Sequence, residues 1–191
     1  MSGSGRRLAL LGGSFNPPHL AHQMLAMAVL STRQADELWV IPCYRHALGK
    51  ALEPFEHRVA MCRAAVAELG PRVRVSEIER ELGEPSRTLR TVERIEADQP
   101  GRRLALVIGA DILGETDEWY RWPEIERRVD VLVFGRVGYD AGRDVITLPD
   151  ISSTEVRSRL ADGRPVEHLL PAAVHDYIVA HGLYGCDRRG S

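Results

Sequence analysis

Short apolar runs alternate with amphipathic stretches along this chain. Leu8–Leu11, Glu37–Ile41, Val73–Ile78, Leu104–Ile108 and Val129–Phe134 have the length and apolar density of buried strands. Helical patterns separate most of them, over about Leu20–Thr32, Phe55–Leu69 and Thr88–Asp98; in the first, Leu20, Met24, Met27 and Leu30 recur at helical spacing. This alternation predicts an α/β, doubly wound architecture with a mainly parallel, five- to six-stranded sheet. After the fifth run the pattern changes: turn-rich Gly135–Arg143 leads to a short extended run near Val145–Leu148 and then to a C-terminal helical segment. Its first helix begins at Ser152, Ser153 or Thr154, with Glu155 three positions after Ser152 as in a capping box. The second covers about Pro171–His181 and stops before Gly182. At 191 residues the chain, 1–191, fits one domain, with Met1–Gly5 and Asp187–Ser191 reading as disordered ends.

Composition acts mainly by exclusion. The 25 Lys and Arg against 27 Asp and Glu leave a formal charge of −2, which argues against a surface wrapped on nucleic acid. Cys43, Cys62 and Cys186 are odd in number and widely spaced, so they suggest reduced thiols rather than a disulfide framework or a zinc site. No signal segment and no bilayer-length apolar run is present, so a soluble, cytoplasmic protein without a membrane partner is expected. A homo-oligomer is left open.

The chemistry concentrates between the first strand and the first helix. Gly12–His22, GGSFNPPHLAH, is a strand-to-helix loop whose free N–H groups and helix dipole suit a phosphate, and glycine permits its close approach. His19 and His22 share a face if the helix has already begun there, so both could meet one ligand and stabilise charge on a transferring phosphoryl group. Each histidine taken singly reads better as an ordinary surface residue, and it is the complete string that favours the phosphate reading. No HExxH helix or third ligand supports a metal site around them.

This loop resembles the (H/T)xGH signature of the nucleotidyltransferase superfamily, in the GGxFxPxHxGH form of nicotinate and nicotinamide mononucleotide adenylyltransferases. Ala21 stands where the signature has glycine. Ile151–Leu160, ISSTEVRSRL, is similar to the superfamily's ISSTxxR segment, where Arg157 can offer a charged fork to ATP phosphates. Ile108–Ile125 resembles the family's GAD…W..W segment: Gly109 permits a close turn at a strand's carboxyl end, Asp111 suits ribose hydroxyls, and Trp119 suits a pyridine ring. Trp122 reads better as core, and Asp111 equally as a helix cap. In Ile41–Cys62, which is also similar to the family, His46, Lys50 and Arg58 are candidate phosphate contacts. Pro85–Thr91, PSRTLRT, stands where the bacterial nicotinate enzymes show SYTxDT, with Arg87 for tyrosine and Arg90 for aspartate; Thr88 matches, and equally suits a helix cap. GRVGY at Gly135–Tyr139 and the C-terminal LLPAAVHDYIVAHGLYG are similar to family sequence too.

The resemblance implies a Rossmann-like fold and a direct displacement: the 5′-phosphate of a pyridine mononucleotide attacks the α-phosphorus of ATP, releasing pyrophosphate and a dinucleotide for NAD biosynthesis. It implies His19, His22 and Arg157 as catalytic residues and Gly12, Gly13, Ser14, Phe15, Lys50, Ser152, Ser153 and Thr154 around ATP. Thr88, Gly109, Asp111 and Trp119 would hold the mononucleotide, and Mg²⁺ would arrive with ATP. Phosphopantetheine adenylyltransferase, a cytidylyltransferase and a non-catalytic nucleotide sensor are the competing readings. The choice between nicotinate and nicotinamide, and any substrate contact by Arg87 or Arg90, stays open.

Overall fold

In the computed structural model, which describes residues 6–45, 49, 51–83, 85–136 and 146–186, successive residues of the central strands enter two different cores. The strands are β1 (Arg7–Gly13), β2 (Glu37–Pro42), β3 (Val73–Val75), β4 (Arg103–Gly109), β5 (Asp130–Arg136) and β6 (Thr147–Leu148). The helices are α1 (Leu20–Ser31), α2 (Phe55–Val66), α3 (Ile78–Leu82), α4 (Thr88–Asp98), α5 (Trp122–Arg128), α6 (Ser153–Ala161) and α7 (Ala172–His181). From β1, Ala9 and Leu11 pack with Leu25, Ala26 and Val29 of α1, whereas Leu8 and Leu10 pack with Leu89, Val92 and Ile95 of α4. Burial on both faces explains why these strands read as continuous apolar runs.

Every neighbouring strand pair is parallel, in the order β3-β2-β1-β4-β5-β6. The order reverses between β1 and β4, which opens a crevice at their carboxyl ends. Leu10 pairs with Leu106 there, and three residues further on Gly13 and Gly109 end the two strands. A third apolar cluster, built from Ile151, Val156, Leu160, Val174 and Ile178, seats α6 and α7 on Met61 and Ala65 of α2.

Several expectations are corrected. The third strand stops at Val75, and Ile78 opens α3 after the Ser76 hydroxyl accepts its N–H at 3.4 Å. The second helical pattern is α-helical to Val66 and finishes as a 3₁₀ turn, Ala67–Leu69. On α1, Met24 and Met27 are 43% and 53% exposed, because the helix is apolar nearly all round and lays Leu25, Ala26 and Val29 on the sheet instead. Met1–Gly5, Asp187–Ser191 and most of the Gly135–Arg143 segment lie outside the described residues, as does Val145. No helix among the described residues is long and apolar enough to cross a membrane.

Candidate active site

The loop after β1 turns on Gly13, where a Cβ would sit 3.1 Å from the Phe15 ring. Glycine therefore lets Phe15 fold back under the strand, with φ 47° and 2% exposure; ring burial holds it in a left-handed conformation that bulky residues rarely adopt. Around Gly12 the space is open. His19, 6% exposed, is the N-cap of α1 in an extended conformation. The His22 Nδ1 accepts the His19 N–H at 3.2 Å, and the two rings stack with centroids 3.8 Å apart. An accepting Nδ1 keeps the neutral ring's proton on Nε2, so His22 presents an N–H donor. The first turn of α1 carries no acidic side chain to offset its positive end. Ala21, 7% exposed, packs into the apolar cluster under α6 and α7.

From the far end of the sequence, α6 is clipped to this loop. The Ser152 Oγ caps α6 by accepting the Glu155 N–H at 3.1 Å, while the Glu155 carboxylate pairs with Arg159 at 2.8 Å. The Ser153 hydroxyl donates to the Pro17 carbonyl at 2.8 Å, and the Arg157 guanidinium to the Asn16 carbonyl at 2.7 Å and to the Thr154 hydroxyl at 3.3 Å. Buried Asn16 completes the junction, its side-chain oxygen accepting from the Tyr184 hydroxyl at 2.9 Å and the Glu53 N–H at 3.1 Å.

Arg58 is not a phosphate contact. It is 1% exposed and donates to the carbonyls of Glu53 at 2.9 Å, Ser14 at 3.0 Å, Cys43 at 2.8 Å and Tyr44 at 3.2 Å. Four of five donors are thus spent on backbone, joining the loops after β1 and β2 to the entrance of α2. A signal was available: Phe55, Arg58, Val59 and Cys62 form one helical stripe, and three of the four are apolar. Glu79 was also missed. Only 8% exposed, it accepts the Tyr44 N–H at 3.1 Å and the Thr91 hydroxyl at 3.2 Å, and burial pushes its carboxyl above the ordinary range. The Ser86 Oγ beside it accepts the N–H groups of Tyr44 and Arg45 at 2.9 and 3.1 Å. His46 and Lys50 lie outside the described residues.

Across the crevice, the Asp111 carboxylate folds over Gly109 so closely that a Cβ there would collide with its Oδ1. Asp111 does not cap a helix: it is the second residue of a 3₁₀ segment, Ala110–Glu118, whose cap position belongs to Gly109 and which leads to half-buried Trp119. Trp119 packs edge-on against Trp122 at 5.6 Å, and Trp122 is core at 9% exposure. Thr88 does not cap α4: it is the first helical residue, and the cap position belongs to Arg87. The Arg90 guanidinium donates to the Leu82 carbonyl at 2.9 Å. Burial pushes the thiols of Cys43 and Cys62 up, away from thiolate chemistry. Among the described residues no group of three or more His, Cys, Asp or Glu gathers as a metal site.

Residues 10–159 match the cytidylyltransferase-like family. A relative from Anaeromyxobacter dehalogenans strain 2CP-C, named "Probable nicotinate-nucleotide adenylyltransferase", is 49% identical over 187 residues, covering 96% of this chain and 99% of its own. One of the same name from Myxococcus xanthus is 43% identical over 183 residues, covering 95% and 96%. Among solved structures, Plasmodium falciparum nicotinic acid mononucleotide adenylyltransferase complexed with NaAD shares the fold at a TM-score of 0.83 with 18% identity, over 96% of this chain and all of that one. With its sequence signatures, strand order and relatives in agreement, this chain belongs to the nicotinate-nucleotide adenylyltransferase family within the cytidylyltransferase-like proteins.

Proposed function

We propose that this protein joins ATP to nicotinate mononucleotide, a mononucleotide phosphate oxygen bonding to the α-phosphorus as the bond to the β-phosphate oxygen breaks and pyrophosphate departs. The observation that carries this reading is the stacked His19–His22 pair at the start of α1, with Arg157 fastened to the same loop at the reversal of strand order. Such a displacement needs alignment and charge stabilisation more than a protein nucleophile. His22 Nε2–H and His19 would stabilise the α-phosphate charge, with backbone N–H groups from Gly12 to Phe15 beside them; the Phe15 ring is buried and takes no part. Arg157 and the Ser152–Thr154 turn would hold the departing pyrophosphate, with Lys50 as a further phosphate contact. On the other side of the crevice Gly109 and Asp111 would meet the ribose, and Thr88 and Trp119 the pyridine ring.

Mg²⁺ would arrive with ATP and would supply neutralisation of phosphate charge, a role that asks for few protein ligands and so accords with the lack of a His, Cys, Asp or Glu cluster among the described residues. The cytoplasm, where both substrates and reduced thiols are found, is the compartment that fits this chemistry. The test is pyrophosphate release from ATP with nicotinate mononucleotide, nicotinamide mononucleotide or phosphopantetheine. Activity with a pyridine mononucleotide is expected, and in a folded His22→Ala variant turnover falls by about 10²-fold or more. A preference for phosphopantetheine, or near-normal turnover in that variant, overturns the assignment or the role respectively.

A further inference from the structure

Where α4 meets the Trp119 segment, Arg87 is a basic residue with no ion pair among the described residues. Its guanidinium lies over the Tyr120 ring with its carbon 4.3 Å from the ring centroid, and it has no carboxylate partner among the described residues. Its neighbours are committed: Arg90 donates to the Leu82 carbonyl, and Arg121 is paired with Glu124. A ring contact at the guanidinium carbon does not consume the N–H donors of a guanidinium. Its planar edge keeps the N–H fork that matches a carboxylate in two parallel hydrogen bonds, and the ring beneath restricts its orientation. Arg87 directly precedes Thr88, and Tyr120 directly follows Trp119, so this contact joins the two segments assigned above to the pyridine end of the mononucleotide.

We propose that Arg87, held over the Tyr120 ring, is the specificity residue that reads the pyridine carboxylate and so favours the acid over the carboxamide. The inference rests on the adenylyltransferase reading and adds a named discriminator to it. A carboxylate gains a charge-assisted pair that a neutral carboxamide, which offers only one acceptor oxygen beside its own N–H donors, does not. Tyr120 acts as a positioning residue, being 49% exposed and touching the guanidinium rather than the reacting atoms.

Steady-state kinetics with both mononucleotides on the unaltered protein, Arg87→Gln and Arg87→Lys test this. In Arg87→Gln the KM for nicotinate mononucleotide rises about 10- to 100-fold with kcat nearly unchanged, while the KM for nicotinamide mononucleotide moves less than about threefold. Arg87→Lys, which restores the charge without the fork, recovers part of the loss. An equal loss on both substrates, or an unchanged preference in Arg87→Gln, overturns the proposal and leaves the adenylyltransferase reading standing. No pyrophosphate from either mononucleotide with the unaltered protein overturns both.

Discussion

Glu79 is buried among donors rather than against a directly paired base, since it accepts from Tyr44 and Thr91 and sits beside Ser86. Desolvation outweighs those hydrogen bonds and raises its carboxyl pKa in the folded state. Between the ordinary glutamate value of about 4.3 and the raised one, the folded protein holds a proton that the unfolded chain has released. Stability from this group is therefore greatest below that window and falls as pH rises through it. Urea midpoints at several pH values should show the unaltered protein losing ground to Glu79→Gln as pH rises; parallel curves would count against the assignment. Nothing in the sequence around Glu79 announces this role, because its partners lie 12 and 35 residues away and act only once buried. His19, His22 and Arg157 stand out as candidates for the opposite reason: they sit in short contiguous motifs.

At the level of elements, α6 shows which parts of a motif act locally and which act across the fold. Ser152 caps its own helix, Ser153 reaches the loop after β1, and exposed Thr154 meets only Arg157 among the hydrogen bonds described. Ser152→Ala should cost about 1 kcal/mol through the lost cap, and Ser153→Ala a comparable amount through the lost bond to Pro17. Thr154→Ala should cost under about 0.5 kcal/mol, as surface changes do. Urea denaturation of the three variants checks the ranking, and a Thr154 effect equal to the other two would contradict it. The start of α6 was readable from its run of Ser and Thr residues. By contrast α3 and α5, with 5 and 7 residues, are too short to display a helical period, so Ile78 reads as strand from the sequence and no separate helix is predicted over Trp122–Arg128, although Trp122 itself reads as core.

For the whole molecule, the class of fold followed from alternation, but the position of the crevice required the strand order, which turns back on itself between β1 and β4 while every strand stays parallel. Arg58 belongs to this scale, because its donors hold the loops after two adjacent strands to the start of α2. A phosphate ligand and a buried clamp predict opposite phenotypes. If Arg58 bound ATP, Arg58→Met would fold normally and fail only in nucleotide affinity. As a clamp, its loss strands four carbonyls that the buried guanidinium satisfied and loosens both walls of the crevice together. The cost should then be about 3 kcal/mol or more, which for a chain of this size lowers Tm by roughly 6–12 °C. Arg58→Lys should recover little of it, since one ammonium cannot reach carbonyls arranged around a planar fork. Melting curves of both variants with and without ATP decide the matter: a wild-type Tm in Arg58→Met without nucleotide would return Arg58 to the phosphate site, whereas a large drop in both variants means that the crevice is assembled by backbone carbonyls converging on one buried charge.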